Sequence, residues 1–202
     1  MTTSYRTNAG TSASLGSVYV SWPSNLKRHT LTGESTMLLK FHELWKGYDI
    51  VCLYVNDSHH CGYVKVPEDH PFHGLSYDTR LPYEDYKYLL ERTPDEDRAL
   101  PWISMICAGD METEGIPFDV ALDIHGGITF GDKYLEGSPV YQDEHTWWIG
   151  FDCAHAGDKT KSWDDGVFRT EEFVRDELHG LVDQLISVND IAAAAAILNP
   201  EG

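Results

Sequence analysis

Long apolar runs are missing from this sequence. No stretch of its 202 residues approaches the roughly 18 apolar positions that cross a bilayer, and Met1 to Ser17 has no apolar core of the secretory kind. A cytoplasmic protein is therefore expected. Cysteine is scarce as well: Cys52, Cys61, Cys107 and Cys153 lie far apart with no C-x-x-C pair, which excludes a zinc ribbon and a dense disulfide framework and predicts reduced thiols. Basic residues number 15 against 33 acidic ones, and the formal charge of −18 repels duplex phosphate rather than neutralising it. Direct nucleic-acid binding is not expected, whereas a basic protein partner, or solubility alone, suits such a surface. Internal repeats and heptad runs are absent too, which excludes solenoids and coiled coils.

What is present is core-forming. Hydrophobic residues make up 42% and aromatics 12%, with six Trp and eleven Tyr, far too rich for a disordered chain. Residues 1–16 hold Ser, Thr, Gly and Asn without periodic apolar positions and read as a flexible tail. Residues 17–202 read as a single α+β domain, a mostly antiparallel sheet with a packed C-terminal helix.

The elements follow from periodicity. Val18, Val20 and Trp22 alternate with polar neighbours and predict a short strand. Met37 to Trp45 is too short to settle between helix and strand. Asp49 to Val55 and Cys61 to Val66 flank Asn56-Asp57-Ser58 and predict a β-hairpin whose loop carries His59 and His60. A short helix is expected around Tyr83 to Arg92, then an acidic loop at Pro94 to Asp97 and a strand at Trp102 to Cys107. Val120, Leu122 and Ile124 alternate with Ala121, Asp123 and His125, so Phe118 to Phe130 predicts a strand with one charged face. Thr146 to Cys153 is apolar on both faces and predicts a central strand. Thr170, followed by Glu171 and Glu172, caps a helix whose Phe173, Val174, Leu178, Leu181, Val182 and Leu185 share one side. The Ala-rich segment Ile191 to Leu198 is expected to be a closing helix packed on the domain.

The stretch from Asp123 to Asp158 holds the residue types that do chemistry. His125 is followed by Gly126 and Gly127, which permit close approach of a ligand, and by Thr129. Asp152, Cys153, His155 and Asp158 follow a buried strand within seven positions, and converge only if the strand ends near Ala154 and the chain turns there. If Phe118 to Phe130 pairs with Thr146 to His155, His125 comes opposite Phe151 to Cys153. His125, Asp152, His155 and Asp158 are therefore the expected catalytic residues, with Gly126, Gly127 and Thr129 on the ligand.

Three chemistries suit these residues. As a metal site, His125, His155 and Asp152 or Asp158, with Cys153, offer transition-metal donors, although the spacing matches no zinc signature and no cofactor is specified. As a metal-free site, His125 carries a proton while Asp123 or Asp152 orients the ring and the glycine N–H groups meet an anion. Cys153 as a nucleophile is disfavoured, because burial in an aromatic strand raises a thiol's pKa. In the third, the aspartates and His155 satisfy a tight turn and His125 is a hydrogen-bonded core residue. His70, beside Pro71, reads as a turn element.

His125-Gly-Gly-Ile-Thr-Phe130, followed by Trp147-Trp-Ile-Gly-Phe-Asp-Cys-Ala-His-Ala-Gly-Asp158, resembles a group of small proteins encoded in bacteriophage and prophage genomes that carry HGG-x-T and GFD-C-AH-x-GD segments in this order. Cys61-Gly-Tyr-Val-Lys-Val-Pro-Glu-Asp-His-Pro71 and Gly74 are similar to a third block, and the resemblance spans residues 48 to 185. It implies a phage context and carries no activity with it. The expected function is a phage-type accessory protein, in the host cytoplasm, that binds or hydrolyses a small polar molecule such as a nucleotide. The alternative is a non-enzymatic acidic inhibitor of a host nucleic-acid-binding or defence protein.

Overall fold

The computed structural model describes residues 36–91 and 109–198. The tail, the strand at Val18 to Trp22, the acidic loop at Pro94 to Asp97 and the strand at Trp102 to Cys107 lie outside the described residues.

Strand β1 (Met37–Trp45) settles the ambiguous segment, and it turns into β2 (Tyr48–Val55) through Lys46 and Gly47. Both turn residues have positive φ, 48° and 90°, the geometry whose twist matches that of two antiparallel strands. Strand β3 (His59–Lys65) completes the expected hairpin with β2, joined by Asn56, Asp57 and Ser58. The hairpin loop is shorter than expected. His59 pairs with Val55 and His60 with Tyr54, so both histidines are strand residues.

Among the described residues β1, β2, β3, β7 (Trp148–Asp152) and β6 (Phe130–Asp132) form one sheet in that order, with every neighbouring pair antiparallel. Strand β7 lies between β3 and β6, the interior place its apolar faces require. Gly62 of β3 makes close packing possible here. A Cβ there would stand 2.5 Å from the Phe151 ring and 3.0 Å from Val174, so the ring lies directly over the glycine.

Between β3 and β6 come β4 (Arg80–Leu81), α1 (Tyr83–Tyr86) with a 3-10 turn at Lys87–Leu90, α2 (Met111–Glu114), β5 (Ile116–Pro117) and α3 (Phe118–Ala121). Strands β4 and β5 pair as a separate two-stranded ribbon. The expected strand from Phe118 to Phe130 is therefore corrected: only Phe130 belongs to β6. One helical turn buries Phe118, Val120 and Ala121, and an irregular segment then buries Leu122 and Ile124. The alternating burial arises without a ladder: the backbone of Asp123 and the His125 N–H bond to side chains, and Gly127 and Ile128 bond to turn carbonyls.

Helix α4 (Glu171–Leu198) packs one face on the sheet, burying Val174, Leu178, Leu181, Val182, Leu185 and Val188. Thr170 Oγ1 accepts the Phe173 N–H at 3.2 Å, the expected cap. Ile191 to Leu198 is the continuation of this helix rather than a separate packed one, and Ile191 and Ile197 are exposed. Alanines there have too little bulk to hold a second contact. The other sheet face buries Val51, Leu53, Cys61, Tyr63 and Trp148 beneath Leu135, with Gln142 accepting the Trp148 Nε1–H at 2.9 Å. The long loop after β6 thus serves as the second cover. Cys52, Cys61 and Cys153 are buried free thiols, as expected. No helix among the described residues is long and apolar enough to cross a membrane.

Candidate functional site

Strand β7 ends at Asp152, and the chain turns at once, as convergence of this cluster requires. Asp152 Oδ1 accepts the Ala154 N–H at 2.9 Å, and Asp158 Oδ2 accepts the His155 N–H at 3.0 Å. These bonds turn the chain back on itself and bring Asp158 to a fully buried position. Cys153 points away into the core beneath α4, where burial pushes its thiol pKa up. It takes no part in the cluster.

His125 arrives from the irregular segment, which α4 holds by side chains. Gln184 binds both backbone groups of Asp123, accepting its N–H at 2.7 Å and donating to its carbonyl at 2.8 Å. Glu177 Oε2 accepts the His125 N–H at 2.8 Å. Both are polar side chains on the helix face that otherwise buries Val174, Leu181 and Val188, so that placement was the signal by which sequence reasoning could have found them.

His125 Nε2 then meets Asp158 Oδ2 at 2.8 Å, while Arg169 Nε donates to Asp158 Oδ1 at 2.8 Å. Burial alone would raise the Asp158 carboxyl. Arg169, His125 and the His155 N–H outweigh it and hold the group below the usual carboxylate range, so it is ionised at neutral pH. The His125 ring stands edge-on to Phe173 at 5.2 Å and to His155 at 5.5 Å, and Arg169 lies over Phe173 at 4.8 Å. Arg169 was not foreseen, since nothing in its local sequence points at a carboxylate eleven residues earlier.

His155 lies across Gly126. A Cβ on that glycine, whose φ is +71°, would stand 2.0 Å from the imidazole Cε1, so the absent side chain is the space the ring fills. Gly127, at φ +87°, donates its N–H to Ile124 O at 3.1 Å and passes within 2.4 Å, Cβ to oxygen, of the Asp119 carbonyl. The two glycines thus accommodate parts of the protein itself. Thr129 is exposed, and its N–H bonds Gly150 O at 2.9 Å where β6 begins. It stands with the sheet rather than with the histidines.

The cluster is therefore His125, His155 and Asp158, whose donor atoms lie within 4.8 Å of one another, with Asp152 at its rim. His155 Nδ1 is buried without a hydrogen-bond partner, and Asp152 Oδ1 and Asp158 Oδ2 stand 3.8 and 3.9 Å from it. His59, at the start of β3, was placed in a loop by sequence and reaches this neighbourhood instead. Burial lowers its pKa, against the pull of Asp152 and Asp158. His70 is the turn element expected, accepting the Phe72 N–H at Nδ1 and bonding Leu185 O through Nε2.

Comparison with protein-family models, with curated proteins and with solved structures gives no match.

Proposed function

We propose that the turn after β7 and the segment before β6 form a site that binds or hydrolyses a small polar molecule such as a nucleotide, in a phage-type accessory protein acting in the host cytoplasm. The observation that carries this reading is the convergence of two imidazoles from distant parts of the chain on one buried, ionised carboxylate. In this reading Asp158 is the fixed anion, anchored by Arg169, and His125 and His155 are the groups that exchange protons with the reacting water. His155 Nδ1 within the cluster is buried with no hydrogen-bond partner, as is Nδ1 of the neighbouring His59.

The test is release of phosphate or base from a panel of nucleotides. His125→Ala is expected to reduce turnover by roughly 100-fold or more while the fold persists. Equal turnover in the variant and the parent would overturn the assignment.

A second reading is favoured by the charge of −18: a non-enzymatic inhibitor that covers a basic host protein. In that case binding weakens steeply with added salt, and reversing Asp95, Glu96 and Asp97 costs more affinity than His125→Ala.

A further inference from the structure

We infer that the cluster binds one divalent transition-metal ion of the zinc class, held by His125 Nε2, His155 Nδ1 and Asp158 Oδ2, with Asp152 at the rim. This inference rests on the reading of the cluster as the working site and names the ion that would activate its water.

The separations carry it. His155 Nδ1 is 3.8 Å from Asp152 Oδ1 and 3.9 Å from Asp158 Oδ2, too far for hydrogen bonds. Two donors sharing a tetrahedral ion at about 2.0–2.2 Å stand roughly 3.3–3.5 Å apart, so seating the ion takes an approach of His155 to Asp158 and an opening of the 2.8 Å contact between His125 and Asp158. The same nitrogen is buried and has no hydrogen-bond partner, a condition that coordination relieves.

The donors are also held from behind, as metal ligands are. Arg169 Nε binds Asp158 Oδ1, the oxygen not bonded to His125, Glu177 fixes the His125 backbone, and Gly126 leaves His155 its seat. Two imidazoles with carboxylates select zinc, cobalt or nickel over magnesium or calcium, which prefer oxygen alone. The overall negative charge draws cations towards the protein.

Binding replaces the His125 to Asp158 hydrogen bond. The Nε2 lone pair of His125 turns to the ion, with the ring proton on Nδ1. His155 likewise offers Nδ1 and keeps its proton on Nε2.

Cobalt(II) chloride is the probe, titrated into the full chain after treatment with a chelator and its removal. One equivalent per chain is expected to give visible d–d bands of a low-symmetry nitrogen and oxygen site, and zinc chloride should displace it. His155→Ala and Asp158→Asn should weaken the affinity by about 10- to 100-fold or more. His179→Ala, distant from these ligands, should leave it unchanged. Circular dichroism of each variant confirms folding, and His155→Gln, which keeps bulk without the imidazole, is the alternative where truncation unfolds the chain. Absence of saturable cobalt bands, or bands that survive loss of His155, would overturn the metal site. Nucleotide turnover that persists in chelator without cobalt binding removes the metal and keeps the hydrolytic reading. Stoichiometric binding that depends on His155, with no turnover of any nucleotide, supports the metal site and removes that reading.

Discussion

Two regions of this protein are built by opposite means. The β1-β2-β3 meander and helix α4 are regular: backbone groups bond one another in ladders and turns of helix, and apolar stripes meet face to face. The residues 122–129 and 153–170, which carry the site, have little regular structure, and much of their backbone bonding goes to side chains such as Gln184, Glu177, Asp152 and Asp158. Stability in the first region comes from buried area. In the second a few buried anchors, Leu122, Ile124, Ile128 and Cys153, are joined by directed polar contacts, each individually breakable.

The contrast orders the expected effects of substitution. Leu178, fully buried on the sheet-facing side of α4, should show the largest: Leu178→Ala is expected to cost about 2–5 kcal/mol in urea unfolding, and a change within about 0.5 kcal/mol would mean that the helix is peripheral. Asp158→Ala comes next. It strips Arg169 and His125 of their partner, for an expected loss of about 1.5–3 kcal/mol at neutral pH. Because the folded-state carboxyl lies below its ordinary value, its contribution is present above about pH 3.9 and disappears as the pH falls through the lower folded value. The variant's unfolding curve should therefore lack that part of the acid dependence.

Gln184→Ala removes two neutral hydrogen bonds to Asp123 and should cost about 1–2 kcal/mol. Hydrogen exchange at the His125 amide should rise more than exchange in β2, since the irregular segment opens while the sheet stays closed. Equal change in both would erase the distinction between the regions. The smallest effect belongs to His70. Burial holds its pKa below the ordinary imidazole value, so folding favours the neutral ring, and stability is present above about pH 6.5 and falls as the pH drops below it. His70→Asn should flatten that slope between pH 7 and pH 5, read from the midpoint of thermal unfolding.

The same contrast explains what could be read from the residues alone. The β2–β3 hairpin, the interior strand, the capped helix and its apolar face were legible because each is written in local period and turn chemistry. His125 does meet the turn at Asp158, as expected, but not through the expected strand: β6 begins only at Phe130 and pairs with Trp148 to Gly150, and His125 lies in the irregular segment before it. The irregular path from Leu122 to Thr129 was not legible, because its backbone partners, Gln184 and Glu177, lie on a helix more than fifty residues later. Burial of Val120, Leu122 and Ile124 imitates a strand while the hydrogen bonds follow no ladder. Gly126 looked like room for a ligand and is room for His155, a distinction that needs three dimensions.

The assembly of His125 and His155 around Asp158 is most directly measured by long-range proton–nitrogen NMR of the imidazole rings, in the parent chain and in Asp158→Asn. With the arrangement described, His125 holds a single tautomer set by its Nε2 contact with Asp158, and its ring signals shift in the variant, as do those of His155, while His70 stays where it was. Averaged His125 and His155 signals that ignore the change at Asp158 would contradict it.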